Sequence, residues 1–244
     1  MKILTVISNY NEEGAIERTI ADFRANAGIK SDLLVIDNAP TDQSLKLVQR
    51  QGVDYLQHPV NTGGSAGVIK TALLYADRYG YDIYCHLDGD NQHQASGLQK
   101  LIGPIVRGEA DIVIGSRFIE KEGFQSLPLR KVGISAFSRL LSRVTGQAIT
   151  DLTSGFRAYN RRAIQYFARQ FQYELDPCVQ MLVVASFAGL RIREVPVVMR
   201  PRLTGRSEIN FKNAVKFPFF GLLSILGSSL QRRKMKEASD AVEL

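Results

Sequence analysis

Tyr81-Asp82-Ile83-Tyr84-Cys85-His86-Leu87-Asp88-Gly89-Asp90 is the stretch on which the fold turns. The run from Tyr81 to Leu87 is apolar and strand-like. It ends on two carboxylates one residue apart, Asp88 and Asp90, and leads into Asn91-Gln92-His93. Paired acids at the exit of a buried strand make a poor core and a good clamp for a hard divalent cation. Oxygen ligands suit Mg²⁺ or Mn²⁺, which keep positions open for substrate phosphates. A D-x-D standing alone reads sooner as a solvated turn, so its surroundings decide.

Upstream, short β-rich runs at 3–7, 32–36, 53–56, 82–87 and 111–115 alternate with helix-length segments at about 13–27, 42–51, 65–79 and 95–107. This spacing predicts parallel strands with helices on both faces. Thr41-Asp42 ahead of Leu45, Leu47 and Val48 is a helix-start signal. Ligands of such sheets bind beyond the carboxyl ends of the strands. Here those ends are Ser8-Asn9-Tyr10-Asn11-Glu12-Glu13, Asp37-Asn38-Ala39-Pro40-Thr41-Asp42, His58-Pro59-Val60-Asn61-Thr62-Gly63-Gly64 and Asp88-Gly89-Asp90. They form one polar rim, and the D-x-D lies on it.

Downstream the pattern loosens. Helices are expected at about 130–146, 160–170 and 177–189, then a strand over 191–199. Pro196 removes a ladder donor and predicts an edge strand. There is no internal repeat and no low-complexity linker.

The chain has 244 residues, 45% of them hydrophobic, enough for a substantial core. Cys85 and Cys178 lack metal-ligand spacing and read as buried free thiols of a reducing compartment. Met1 to Ile7 enters a strand directly, so no signal peptide is expected. No apolar run reaches the ~18–20 residues that span a bilayer. The net charge of +7 is concentrated late: Arg191 to Lys236 holds eleven Lys or Arg against Glu194 and Glu208. That asymmetry suits an anionic partner at the C-terminal end. The acidic rim of the first half speaks against nucleic acid.

Phe211, Val215, Phe219, Leu222, Leu226 and Leu230 recur at helical spacing, with Lys212, Lys216 and Arg232-Arg233-Lys234 around them. The uncharged run from Phe217 to Leu230 is too short to span a membrane but suits an interfacial helix on anionic lipid. It equally suits a helix packed on the core or on a second copy in a homo-oligomer. Pro218 and Gly221 are expected to kink it.

These motifs resemble, in order over about residues 3–212, the family 2 glycosyltransferases of GT-A fold. The nearest branch is that of dolichol-phosphate mannose synthase and the bacterial polyprenyl-phosphate glycosyltransferases. The matching segments are Tyr10-Asn11-Glu12, Val35-Ile36-Asp37-Asn38 with Thr41-Asp42, Asn61-x-Gly63-Gly64-x-Ala66-Gly67 and Leu87 to His93. They continue with Gly115-Ser116-Arg117-Phe118, Asp151 to Tyr159, Glu194-Val195-Pro196, Arg200-Pro201-Arg202 and Gly205-Arg206-Ser207. The family usually has Pro where Ser8 stands and a second acid where Asn38 stands. The expected fold is α/β of GT-A type, a mostly parallel sheet flanked by helices with a C-terminal helical extension. The glycosyltransferase domain is assigned to 1–207 and the amphipathic basic helix and tail to 208–244.

The resemblance implies residue roles. Asp88, Asp90 and Gln92 would hold Mg²⁺ or Mn²⁺ on the donor diphosphate, with His93 a neighbour. Asp37 would accept hydrogen bonds from the base, or cap a helix. Tyr10 and Glu12 would line the base and ribose pocket, and Asp88 belongs to the same nucleotide site. Gly63, Gly64 and Gly67 follow the third strand and lack the dinucleotide-binding spacing near the first. They read as backbone freedom beside ribose and diphosphate, not as a dehydrogenase turn. Arg117 would pair with a donor or acceptor phosphate, a structural ion pair being its rival. Arg200, Arg202 and Arg206 would close on the diphosphate. Asp151 is the candidate base for a hydroxyl acceptor, with Glu174 and Asp176 behind it. With a phosphate acceptor, Asp151 would instead orient Arg157 or cap a helix.

The expectation is an inverting transfer of a hexose from a nucleotide-sugar, UDP-hexose favoured, to a polyprenyl phosphate. Transfer to a hydroxyl of a growing glycan or glycoprotein is the alternative, and a non-catalytic sugar-nucleotide-binding or scaffold subunit the rival from another class. The location expected is cytoplasmic, peripheral on the inner face of the membrane.

Overall fold

The computed structural model describes residues 1–123, 128–170, 177–202 and 211–240. Strands β1 (Ile3–Asn9), β2 (Asp32–Asp37), β3 (Asp54–Gln57), β4 (Ile83–Asp88), β5 (Ile112–Ser116), β6 (Arg157–Asn160) and β7 (Ile192–Pro196) form one sheet in the order β3-β2-β1-β4-β6-β5-β7. All run parallel except β6, which lies antiparallel between β4 and β5. Helices α1 (Ile16–Asn26), α2 (Ser44–Arg50) and α4 (Leu98–Val106) belong to one face. Helices α3 (Ser65–Arg78), α5 (Pro128–Thr145), α6 (Arg161–Gln170) and α7 (Pro177–Phe187) belong to the other. Helices α8 (Phe211–Leu230) and α9 (Arg232–Asp240) complete the order.

The strands have two apolar faces, as a parallel sheet covered on both sides requires. Successive side chains point to opposite faces. Leu4 and Val6 of β1 therefore join the core under α3, while Ile3 and Ile7 join the core under α1. β5 repeats the pattern, with Ile112 and Ile114 on one side and Val113 on the other. Ile16, Ile20 and Phe23 of α1, each 7% exposed or less, supply ~1.5–3 kcal/mol apiece by burial.

The alternating first half matches the sequence reading, and β7 is an edge strand ending at Pro196. Two differences matter. The helix expected from 95 begins as a 3₁₀ turn over Ala95–Gly97 before α4. The segment at 157–160, not anticipated as a strand, is β6. Four residues are too few to show a periodic pattern, and β6 exists because β4 and β5 each offer it an edge.

α7 is apolar all round and is sandwiched: Val179, Met181, Leu182, Val183 and Ala185 are buried. α8 packs on it and sends Ile225 into the same core. Gly221 lets α8 approach α5, because a Cβ there would stand 2.5 Å from the Phe137 ring. Around Ile225 its inward positions are small, Gly221, Ser224 and Ser228, whereas Leu222, Leu223, Leu226 and Leu230 are exposed. Among the described residues no helix is long and apolar enough to cross a membrane. Cys85 is buried and free, and the side chain of Cys178 lies outside the described residues.

Candidate active site

The parallel register brings the acidic strand ends together. Ser8 pairs with Asp88 across β1 and β4, and Asn9 with Asp37 across β1 and β2. Asp37 is fully buried; its Oδ1 accepts from Asn9 Nδ2 at 2.6 Å, and its Oδ2 has no hydrogen-bond partner among the described residues. Burial, opposed by the Asn9 bond and aided by Asp42, lifts its pKa to about 6. The capping alternative for Asp37 is taken over by Asp42, whose Oδ1 accepts from the Ser44 N–H at 2.9 Å.

Asp88 is half-buried and backed by polar groups. Ser8 Oγ donates to its Oδ1 at 3.2 Å, His86 Nε2 lies 3.4 Å from Oδ1, and His93 Nε2 lies 3.7 Å from Oδ2. The Asp88 N–H donates to His93 Nδ1 at 3.2 Å, leaving the His93 proton on Nε2, towards the carboxylate. Burial pushes Asp88 up, but the His86 bond, the two imidazoles and Ser8 outweigh it and hold it below the usual carboxylate range. Proline in place of Ser8 would lose that hydroxyl. Two glycines are fixed by this crowding. A Cβ on Gly89 would stand 2.6 Å from the Ser8 carbonyl, and one on Gly155 would stand 2.9 Å from Asp88 Oδ2.

Asp90 is pushed up by burial and by the charge of Asp88. Its cationic neighbour is Arg202, whose Nη1 lies 3.5 Å away and whose Nη2 pairs with Glu12 Oε1. Glu12 is 8% exposed; burial, opposed by Arg202 and reinforced by Asp90 and Asp88, raises it to about 7. The backbone records the same crowding. Asn11, Ala39 and Asn91 hold φ of 56°, 56° and 60° at three neighbouring strand ends. Such left-handed residues concentrate where a site over-determines the chain.

Tyr10 is exposed on this rim. Gly63 and Gly64, with φ of 87° and 75°, are held by Asn61 Oδ1, which accepts from both N–H groups at 2.9 and 3.3 Å. Asn38 ties that loop to β2: its Oδ1 accepts from Thr62 N–H and His58 Nδ1, and its Nδ2 donates to the Gly64 carbonyl at 3.1 Å. An acid at 38 could not make the last bond. Gln92 donates its N–H to Asp90 Oδ1 at 3.0 Å and its side-chain amide to the Arg200 carbonyl at 3.2 Å. Arg200, expected beside the diphosphate, is turned towards Asp22 and Asn91. Its guanidinium is engaged by Asp22 at 2.9 Å and Asn91 at 3.0 Å, so it anchors the loop after β7. Arg206, Glu174 and Asp176 lie outside the described residues.

Beyond β5 the chemistry changes sign. Arg117 Nε and Nη2 grip Asp151 Oδ2 and Oδ1, both at 2.7 Å, and Asp151 is fully buried. The carboxylate expected to serve as a base is thus locked on the cation. It orients Arg117, whereas Arg157 donates to the Leu152 and Ser154 carbonyls and braces the turn. Arg117 lies close enough to Asp88 for that charge to help raise its pKa; burial opposes the rise and Asp151 dominates it. Beside Arg117, a groove of about 850 Å³ runs along α5, walled by Phe118, Ser138, Ser142 and Ile149, with Lys121 and Arg139 among its lining.

Among the described residues no three His, Cys, Asp or Glu side chains converge as a metal cage. Two hard carboxylates do fit Mg²⁺ or Mn²⁺, which bind through one or two acids plus substrate phosphates. The buried Glu12 Oε2 without a hydrogen-bond partner among the described residues and the raised Asp90 show an acidic cluster short of positive charge.

A mostly parallel sheet, one antiparallel strand beside the D-x-D and an acidic rim define a glycosyltransferase of GT-A type. The chain belongs to glycosyl transferase family 2, whose model matches residues 5–167. It is 29% identical over 221 residues to an undecaprenyl-phosphate mannosyltransferase of Micrococcus luteus, covering 86% of this chain and 88% of that one. It is 27% identical over 214 residues to a UDP-N-acetylglucosamine–dolichyl-phosphate N-acetylglucosaminyltransferase of Methanococcus voltae, covering 80% and 84%. Among solved structures, glucosyl-3-phosphoglycerate synthase of Mycobacterium tuberculosis, in complex with Mn²⁺, UDP and glucosyl-3-phosphoglycerate, superposes with a TM-score of 0.66. The identity there is 19%, over 95% of this chain and 79% of that one.

The sequence reading missed Ser8, His86 and Asn9 as supports of the two acids. Their partners lie one strand away, and only register puts them in contact. Gly155 carried a legible signal as a glycine in a polar turn, but its neighbour Asp88 did not.

Proposed function

We propose that this chain moves a hexose from a nucleotide-sugar, a UDP-hexose favoured, to a polyprenyl phosphate with inversion at the anomeric carbon. The observation that carries it is the bidentate grip of buried Asp151 on Arg117. A hydroxyl acceptor needs a free base to take its proton. A phosphate monoester arrives with about −1.5 to −2 charge at pH 7 and needs a fixed cation instead. Arg117, held planar and beside the D-x-D, offers one, and a guanidinium matches phosphate geometry. The names of the Micrococcus and Methanococcus relatives support the same acceptor class, and the second supports a UDP donor.

Asp88 and Asp90 would hold the divalent cation, with Gln92 steadying their turn. When bound, that ion neutralises charge on the departing nucleoside diphosphate. An acceptor phosphate oxygen forms its bond to the anomeric carbon as the bond to the donor diphosphate oxygen breaks. No proton changes hands. Tyr10, Glu12, Asp37, Gly63 and Gly64 line the nucleotide side. Arg202 lies at the diphosphate position, already drawn there by Glu12 and Asp90. The groove along α5 takes the first isoprene units. The outward leucines of α8, with exposed Arg232, Arg233 and Lys236 beyond them, rest on the membrane that carries the acceptor.

The test is a donor and acceptor screen with Mn²⁺, following nucleotide release from UDP- and GDP-sugars with polyprenyl phosphate or oligosaccharide. The expected result is release stimulated by lipid phosphate and cut heavily by Arg117→Ala. A rate stimulated only by oligosaccharide, with Arg117→Ala active and Asp151→Asn nearly dead, overturns the acceptor.

A further inference from the structure

Asp151 is carried by residues 149–151, which join no strand ladder, yet every backbone group but the Asp151 carbonyl is paired with a side chain. The Ile149 N–H donates to Ser142 Oγ at 3.0 Å, and that hydroxyl donates to the Ile149 carbonyl at 3.1 Å. Ser138 Oγ donates to the Thr150 carbonyl at 3.1 Å. The Thr150 and Asp151 N–H groups both donate to Glu194 Oε1 at 2.9 Å, and Thr150 Oγ1 donates to Glu194 Oε2 at 2.6 Å. Thr150 Oγ1 also meets Ser116 Oγ at 2.7 Å, one residue before Arg117. Gln147 fastens the near end of the same strap, its Oε1 accepting from the Ile192 N–H at 2.5 Å.

Glu194 sits in β7 opposite Ile114 of β5, and β5 releases Arg117 three residues later. One carboxylate on the edge strand therefore sets the distance between the strand that presents Arg117 and the strap that presents Asp151. A merely solvating acid on an edge strand would point to water. This one accepts two main-chain N–H groups and a hydroxyl from a single neighbouring turn.

We propose that Glu194 is a positioning residue for the acceptor half of the site. It fixes the backbone of Asp151, and through Asp151 the guanidinium of Arg117, without touching either substrate. This rests on the reading of Arg117 as the partner of the acceptor phosphate. What the strap requires is an oxygen at the Oε1 position, so the geometry of the acceptor atom matters and not its charge. Glu194→Gln retains that oxygen and sets an amide N–H against Thr150 Oγ1, whose hydroxyl then donates to Ser116 Oγ. Glu194→Ala leaves two N–H groups unpaired, and Glu194→Asp withdraws the oxygen by one methylene.

The experiment measures kcat and KM on a short-chain polyprenyl phosphate, together with the Kd of the UDP-sugar in Mn²⁺, for the full chain. For Glu194→Ala, kcat/KM on lipid phosphate is expected to fall by about 10²-fold, the cost of a small misplacement of a positioned group, with native donor Kd. Glu194→Gln is expected to lie within about threefold of the parent on the same scale. Should the alanine variant not fold, Glu194→Asp replaces it, with an intermediate loss and native donor Kd. Native kcat/KM in the alanine or aspartate variant overturns the proposal. So does an equal loss of donor binding, or a glutamine variant as impaired as alanine. Arg117→Ala, run in parallel, separates the two readings. If it leaves lipid-phosphate kcat/KM intact, the acceptor reading itself is wrong. If it lowers kcat/KM while Glu194→Ala does not, only the role of Glu194 fails.

Discussion

At the ends of β1, β2 and β4, Glu12, Asp37, Asp88 and Asp90 lie on one rim, and Glu12 and Asp90 share the guanidinium of Arg202. Across the sheet, beside β5 and β7, Asp151 is bound to Arg117 and Glu194 to backbone N–H groups. The two regions use the same residue type in opposite ways. On the first side burial outweighs the partners present and raises Asp37, Glu12 and Asp90, which prepares a place for added positive charge. On the second the carboxylates are satisfied within the chain, Asp151 by the arginine it holds and Glu194 by main-chain N–H groups. A donor that arrives with a cation suits the first, and an acceptor that arrives as an anion suits the second. Gly155 is where they meet, its bare Cα lying against the Asp88 carboxylate.

The largest expected effect breaks the acidic side. Asp90→Ala should lower transfer by at least about 10³-fold, the equivalent of several kcal/mol of leaving-group stabilisation. Unfolding by urea should show no loss of stability, because the ionised Asp90 is crowded by Asp88 in the folded chain. Ordinary turnover by this variant would remove the metal role from the D-x-D.

A pH scan sharpens the same side. Glu12 folds with its pKa raised to about 7, so between the ordinary carboxylate range and about 7 the native state binds the extra proton. The contribution of this group to stability is present below that range and is lost as pH rises through about 7. It is worth on the order of 2 kcal/mol after solvent screening. Urea midpoints without metal should fall from pH 5 to pH 8, and Glu12→Gln should flatten the fall. A parent curve as flat as that of the variant would show the crowding to be harmless.

Gly155→Ala tests the junction. The new methyl must displace the Asp88 carboxylate, so the Mn²⁺ concentration for half-maximal activity should rise about tenfold, as when an outer support of a metal ligand is lost. An unchanged Mn²⁺ requirement would mean that the two halves are not mechanically joined there.

The smallest effect concerns α8. Leu226→Glu, at a position 62% exposed, should weaken sedimentation with anionic vesicles severalfold and leave the urea midpoint unchanged within ~0.5 kcal/mol. Undiminished binding to vesicles would take this face out of the membrane contact.

Much of the acidic side was legible in advance. β1, α1, β2 and α2 are consecutive, each strand end carries its own polar motif, and parallel order places those ends on one rim. The basic side was not. β6 has four residues and acquires its identity from two strands that are distant in sequence. Asp151 reads as a free acid in a polar turn until β5 brings Arg117 to it, and Arg200 reads as a free cation until Asp22, 178 residues away, claims it. The leucines of α8 have the spacing of a core-facing stripe. Whether they face in depended on Gly221, Ser224 and Ser228, whose small size lets α8 pack closely.

By itself the sequence determined the strand–helix alternation, the rim, the D-x-D at the end of β4 and the edge position of β7. Periodicity, proline and chain order act over a few residues and need no distant partner. The tertiary structure alone decided which carboxylates are left short of cations and which are bound. That depends on strand register and on the strap across β5 and β7. Burial then fixes each charge by what happens to lie against it.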